Sequence, residues 1–281
     1  MEEKLVATLT EWAEEEIGND DIFPSAPAKL GDFFQSVAAA AQSALLLDFD
    51  GTLAPFRIDP AKVRPWAGVV DLLEAIQQTN RTRMAIVTGR PAAKVASQLS
   101  MKTTPEIWGL HGAERLYPDG RVEEEELAPQ EQEALDQARS AVKASGLGVR
   151  IEEKRNAIVL HWRGVSSHSA QGLRRNARDL LLPFAGAAGM RLLQFDGGIE
   201  LRAGRHKGDA VRMILKELPA AAPIAYLGDD TTDEDAFEAL AGRGLSVLVR
   251  RQWRHGAAQV WLRPPVQLRE FLAAWLNATQ N

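Results

Sequence analysis

The chain has 281 residues, a formal net charge of −5, 45% hydrophobic and 25% charged residues, a balance that excludes a fibrous or disordered class. It contains no cysteine, which excludes disulfides, thiolate metal sites and a cysteine nucleophile, and fits a reducing compartment. No basic block suits nucleic acid and no apolar run could span a bilayer, so neither nucleic acid nor membrane is an expected partner.

In chain order, Leu5, Leu9, Trp12 and Ile17 predict an amphipathic helix over residues 1–17. It lacks the basic region and long apolar core of a signal peptide, so the default location is the cytoplasm. A second helix is predicted over 28–42. Ala44 to Leu47 then reads as a buried strand that ends on Asp48-Phe49-Asp50-Gly51. If extended geometry continues to Asp50, both carboxylates project to one face, because strand side chains alternate. Close carboxylates repel and call for a cation, a shared proton or water. Gly51 permits a tight turn. Strand ends of this kind are where open α/β sheets bind ligands. The pair fits a metal-assisted nucleophile with an acid/base partner, or an ordinary solvated turn.

Val69 to Gln78 has helical spacing, Arg83 to Val87 reads as a strand, Pro91 suits the first turn of a helix, and residues 107–110 form another strand. This alternation predicts a parallel, doubly wound sheet. After Tyr117-Pro118-Asp119-Gly120 the pattern changes. Helices are predicted at 129–145 and 167–181, with strands at 148–153, 157–162, 190–195 and 198–202, the last two joined by a turn at Asp196-Gly197-Gly198. The α/β rhythm returns with a helix at 207–217, a strand at 224–227, a helix from Asp233, a strand at 246–249 and a helix at 266–277. The expected architecture is α/β: a doubly wound, mostly parallel Rossmann-like core over 44–116 and 203–281. An α+β cap is inserted over 117–202, and an N-terminal helical segment covers 1–43.

Three more polar clusters fall at element ends. Thr88-Gly89-Arg90 fits a phosphate seat at a helix N-terminus or a simple threonine cap. Lys207 stands where a helix begins, against the helix dipole, which suggests a carboxylate or phosphate partner as much as a surface lysine. Gly228-Asp229-Asp230-Thr231-Thr232-Asp233 offers oxygen ligands to a hard cation, although Asp233 also fits a helix cap. Asp48, Asp50, Asp229 and Asp233 at one sheet edge point to a metal. His111 and Glu114 fit either the cleft wall or a structural role.

DFDGTL, TGR, KG and GDDTTD, in this order, resemble the four motifs of the haloacid-dehalogenase-type phosphatases. Within that superfamily, GLHGAE (109–114), EEKRNAIVLHWR (152–163) and GGIELRAGRHKG followed by GDDTTDEDAF resemble the trehalose-6-phosphate phosphatase family. The resemblance implies Mg2+ held by the Asp48 carboxylate, the Asp50 carbonyl and Asp229, with Asp230 or Asp233 assisting. It implies Asp48 as nucleophile, Asp50 as acid and base, and Thr88 and Lys207 on the phosphoryl oxygens. Gly89, Arg90 and His111 are further substrate-side candidates. Sugar contacts fall to Glu152, Lys154, Arg163 and Glu200, with His161 beside them. The substrate class is a sugar phosphate. Sucrose phosphate, a glycosyl-phosphoglycerate or a hexose phosphate would need only different cap residues, and a silent sugar-phosphate sensor or partner subunit of a glycosyltransferase would need none of the chemistry. The N-terminal segment is a candidate for association with a trehalose-phosphate synthase.

Overall fold

The computed structural model describes residues 26–57, 59–147, 151–162, 167–186, 189–195 and 197–280. The helix expected over 1–17 lies outside the described residues, as do Arg163 and Asp196. Helix α1 (Ala26–Ala39) leads into β1 (Ser43–Leu47), a strand buried at all five positions. Then follow α2 (Val69–Gln78), β2 (Thr82–Val87), α3 (Ala92–Leu99) and β3 (Glu106–Gly109). Short strands β4 (Glu114–Leu116) and β5 (Val122–Glu124) come next.

Between β5 and α6 (Lys207–Glu217) the chain forms α4 (Pro129–Ala144), β6 (Ile151–Lys154), β7 (Ala157–His161), α5 (Ser167–Leu181), β8 (Arg191–Phe195) and β9 (Gly198–Arg202). The chain ends through β10 (Ile224–Gly228), α7 (Glu234–Ala239), β11 (Leu245–Val249), β12 (Val260–Leu262) and α8 (Val266–Gln280).

The larger sheet has the order β12-β11-β10-β1-β2-β3-β4-β5. Its first six strands are parallel, and β4 and β5 extend it antiparallel. Parallel strands covered by helices are apolar on both faces. Leu45 and Leu47 accordingly point to the side of α1, α2, α3 and α8, among Ile86, Leu227, Phe271 and Trp275. Ala44 and Leu46 point to the side of α6 and α7, among Tyr226, Val211 and Phe237. Each buried leucine contributes about 2 kcal/mol, which holds β1 at the sheet centre. Since β1 lies between β10 and β2, the strand order reverses there and a crevice opens at the carboxyl ends.

Sequence patterning misses β4, β5 and β12, because three-residue strands at a sheet margin are too short to show a period. β5 lies past residue 117, where the insert was expected to begin, yet it pairs with β4 in the larger sheet. The strand expected at 148–153 is observed over Ile151–Lys154. The helix expected from Asp233 starts as one 3-10 turn, Thr231–Asp233, before α7.

The smaller sheet is antiparallel, in the order β6-β7-β9-β8. Ile158, Leu160, Ile199 and Leu201 pack beneath α4 and α5 with Leu135, Val142 and Leu181. Alternation sends Glu152, Lys154, Val159, Glu200 and Arg202 to the opposite face, toward the strand ends of the larger sheet. No helix among the described residues is long and apolar enough to cross a membrane.

Candidate active site

β1 stops at Leu47, so Asp50 is not reached by a continuing strand. Instead the chain turns: Gly51 N–H donates to Ala54 O at 2.7 Å and Ala54 N–H to Phe49 O at 3.0 Å. The turn sends Phe49 into the core and leaves Asp48 and Asp50 on the wall of one cavity. Gly51 has φ +90°, and any side chain there would collide with the Asp229 carboxylate. The glycine thus serves both the turn and the close approach of two acidic loops.

Lys207, the first residue of α6, is buried between Asp48 Oδ1 at 2.6 Å and Asp233 Oδ1 at 2.7 Å. Asp233 is saturated. Its Oδ1 also accepts from Tyr226 O–H at 2.6 Å, and its Oδ2 accepts from the N–H groups of Asp229 and Asp230, each at 3.0 Å. Burial opposes the lysine's charge, but Asp233 and Asp48 outweigh it and raise its pKa. Burial works against the Asp233 anion too, yet Lys207 and Tyr226 hold its pKa below the usual value.

The other carboxylates are not balanced in this way. Burial lifts Asp48 to about 7, with Lys207 opposing and Asp233 and Asp50 adding to the rise. Burial lifts Asp229 well above the usual carboxylate range, and Asp48, Asp233 and Asp230 push the same way. Asp229 Oδ1 is buried without a hydrogen-bond partner among the described residues. Asp48, Asp229 and Asp233 each place an oxygen within 4.8 Å of the others. Excess negative charge, an orphaned carboxylate oxygen and an all-oxygen donor set fit a hard divalent cation. Asp230 lines the cavity too, with one oxygen accepting from Thr231 N–H at 2.7 Å.

Asp50 is gripped by Arg90, which donates from Nε to Oδ2 and from Nη2 to Oδ1 at 2.6 Å. Arg90 is itself fixed by Pro60 O at 2.8 Å and Gln98 Oε1 at 3.2 Å. Thr88 Oγ1 accepts from Arg90 N–H at 3.2 Å, which leaves the hydroxyl hydrogen available to a ligand. Thr88, Gly89 and Arg90 all line the cavity beside Asp48 and Lys207.

The smaller sheet closes the opposite wall with Glu152, Lys154, His161 and Glu200, around a cavity of 820 Å³. Lys154 Nζ reaches Gly89 O at 3.0 Å and Glu200 Oε1 at 3.4 Å. His161 Nε2 meets Glu152 Oε2 at 2.6 Å. His111 sits in the left-handed region at φ +61°, and its Nε2 faces Glu200 Oε2 at 3.2 Å. Burial works against the Glu200 anion, but Lys154, His111 and Arg202 hold it well below the usual range. Glu114 instead accepts from Ala92 N–H at the start of α3, a capping role.

His111 carries a stability prediction. Burial holds it at about 3, with Glu200 opposing and Arg202 reinforcing, whereas the unfolded ring titrates near about 6.5. Between these values the unfolded chain binds the extra proton, so stability falls as pH falls, by about 1.4 kcal/mol per unit. His111→Gln should therefore lose about 2 kcal/mol less than wild type between pH 6.5 and 5 in urea titrations. Parallel curves would show that the native ring takes up the proton.

Thirteen of the fifteen sequence-predicted residues line this one cavity. Asp233 lies beneath it, fully buried, and Arg163 lies outside the described residues. Sequence reasoning missed Tyr226, Arg250 and Arg254. Arg250 Nη1 donates to Asp229 O at 3.2 Å, and Arg254 Nη2 donates to Asp230 O at 2.7 Å. For Tyr226 the available signal was a hydroxyl in an otherwise apolar strand. For the two arginines, contact comes from a loop 21 and 24 residues away, and spacing does not encode it.

Carboxylates after β1 and β10 at the switch point, a hydroxyl after β2 and a lysine at α6 define the fold of the haloacid-dehalogenase-type phosphatases. The chain superposes on a phosphatase of the haloalkanoate (HAD) enzyme superfamily from Bacteroides thetaiotaomicron with a TM-score of 0.53 and 15% identity, covering 78% of this chain and 89% of that one. For the C-terminal domain of trehalose-6-phosphate phosphatase from C. albicans the TM-score is 0.72 at 20% identity, covering 89% and 96%.

The trehalose-phosphatase family model matches residues 46–258. A trehalose-phosphate phosphatase from Mycobacterium ulcerans is 33% identical over 251 residues, 81% of this chain. The chain belongs to the trehalose-phosphatase family. It spans 60% of the length of that mycobacterial relative.

Proposed function

We propose that the chain hydrolyses trehalose 6-phosphate to trehalose and phosphate, through a phosphoryl group carried on Asp48. The observation that carries this reading is the Lys207 ammonium bridging Asp48 and Asp233 at the base of a cavity whose far wall is Glu152, Lys154 and Glu200. One pole suits a phosphoryl group and the other suits a hydroxyl-rich sugar.

Lys207 orients one Asp48 oxygen and leaves the other to attack phosphorus. The P–O bond to the sugar breaks as the Asp48–P bond forms. Asp50 gives a proton to the departing sugar oxygen, then takes one from the water that cleaves the acyl phosphate. Arg90 fixes the plane of the Asp50 carboxyl, and one of its two bonds opens when Asp50 carries the proton. Thr88 and Lys207 offer hydrogens to the phosphoryl oxygens, where charge gathers in the transition state.

Mg2+ held by the carboxylates of Asp48 and Asp229 and the Asp50 carbonyl would screen the phosphate charge from the attacking carboxylate. Asp233 serves as the anchor of Lys207 rather than as a ligand, because both its oxygens are already engaged. That leaves Asp230 as the assisting carboxylate. We further infer that the module from α4 to β9, within the expected 117–202 insert, is a cap, whose Glu152, Lys154, His161 and Glu200 read the sugar.

Phosphate release should be measured from trehalose 6-phosphate, sucrose 6-phosphate, glucose 6-phosphate and a glycosyl-phosphoglycerate, with Mg2+ and with chelator. Preference for trehalose 6-phosphate that requires Mg2+ and falls in Glu200→Gln through KM supports the reading. Preference for another ester keeps the chemistry and removes the substrate. Silence toward all four in a folded, Mg2+-supplied protein favours a sugar-phosphate sensor.

A further inference from the structure

Arg202 is the last residue of β9 and is wholly buried, yet Nε, Nη1 and Nη2 have no hydrogen-bond partner among the described residues. A desolvated guanidinium without hydrogen bonds is costly unless an opposite charge stands near. Directly across the strand pair stands Arg191, a second cation, and like charges in that register repel. On the smaller sheet itself Glu200, two residues back on the same face of β9, attracts Arg202. From the larger module Asp235 of α7 faces both arginines, with Oδ2 3.9 Å from Arg202 Nη2 and 3.8 Å from Arg191 Nη1. These contacts join the smaller sheet to the larger module.

The same Asp235 also borders the Lys207 turn. Its Oδ2 lies 3.3 Å from His206 Nδ1. His206 is the N-cap of α6, and its Nδ1 accepts from Gly208 N–H at 3.2 Å, so this nitrogen has no hydrogen to give Asp235 and the approach is one of packing. Gly208 packs so tightly on the Asp235 carbonyl that a side chain at 208 would collide with it. One residue therefore touches the strand pair that carries Glu200 and the turn that carries Lys207.

We propose that Asp235 is a positioning residue: it is the counter-charge from the larger module which, together with Glu200 on the cap's own strand, lets the cap dock against α7 with Arg202 buried. The assignment of catalytic and cap roles rests on the function proposed above, but the docking claim does not. Without the Asp235 charge, Arg202 gains by returning to water, and the cap opens. If Arg202 is made apolar, that drive disappears, since buried ion pairs are often replaceable by apolar residues while half-pairs are not.

Asp235→Asn, Asp235→Glu, Arg202→Met and the Arg202→Met/Asp235→Asn double variant test this in the full chain. Amide hydrogen exchange over 198–208 needs no substrate and reads docking directly. Exchange there should speed about tenfold or more in Asp235→Asn and return to within about threefold of wild type in the double variant. With trehalose 6-phosphate, kcat/KM should fall about tenfold in Asp235→Asn and recover in Asp235→Glu and in the double variant. With p-nitrophenyl phosphate, which needs no sugar contacts, it should change less than about twofold.

Exchange that is unchanged in Asp235→Asn, or a double variant no closer to wild type than the single, overturns the proposal. If Asp235→Asn does not fold, the arm is Arg202→Met against the double variant. Equal exchange in these two supports Asp235 acting through Arg202, and faster exchange in the double overturns it. A wild type inactive on trehalose 6-phosphate removes the substrate reading and leaves the exchange result to decide docking.

Discussion

Asp48→Asn folds, melts at or above the wild-type temperature, and releases phosphate at least about 10⁴-fold more slowly. The rate loss follows from removing the attacking oxygen, and losses of this order accompany removal of a nucleophile that acts as part of a unit. The retained stability follows from the electrostatics. Asp48 sits among Asp50, Asp229 and Asp233 in a buried site, where burial and its acidic neighbours lift it to about 7. Making it neutral relieves repulsion, while Lys207 keeps Asp233 at 2.7 Å as its counter-charge. Thermal melting and steady-state phosphate release, measured on one preparation, separate the two effects. A variant that melts far below wild type would mean that the lost rate reports unfolding.

Lys207→Met behaves in the opposite way, losing both activity and stability. Removing one partner of a buried ion pair strands the other and costs about 3–5 kcal/mol. Here two carboxylates are stranded, Asp48 and Asp233, both almost inaccessible. Without the lysine, burial raises their pKa values in the native state. The folded protein then binds protons that the unfolded chain has released, so stability falls as pH rises through the carboxylate range and above. Urea titrations should show the deficit of Lys207→Met at its largest near pH 8 and reduced near pH 5.5. A deficit independent of pH would mean that lost packing, not stranded charge, is the cause. Turnover should drop about 10³-fold at any pH, as when a preorganised donor to a developing charge is removed.

Much of this site is legible in the chain because its parts fall at the ends of apolar runs. Leu45-Leu46-Leu47 before Asp48, Ile224 to Leu227 before Gly228, and Arg83 to Val87 before Thr88 each mark a strand that stops where polar chemistry starts. A parallel sheet brings such ends to one edge. Alternation likewise places Glu152, Lys154 and Glu200 on one face once the strands pair.

What stays hidden depends on contacts between distant elements. The choice between Asp230 and Asp233 turns on four donors, three of them from Lys207, Tyr226 and Asp229, that converge on Asp233 only in the fold. Arg202 reads as one more charge on a strand, and only the fold buries it fully and brings Asp235 of a distant helix within 3.9 Å. The tight turn at Gly51 is legible, but its start at Phe49, before Asp50, is not, because glycine permits several backbone paths and sequence alone does not say which one is taken.

If Asp48 carries the phosphoryl group taken from trehalose 6-phosphate, that group can be trapped on the protein. The most direct measurement mixes the protein with Mg2+ and substrate labelled at phosphorus, quenches in acid within milliseconds, and follows label on the protein. Hydride reduction and peptide mass spectrometry then locate the acyl phosphate. A transient label is expected at Asp48, formed and lost at rates that sustain turnover and absent in Asp48→Asn. Turnover without protein-bound label at any time, or label on a different residue, would contradict it.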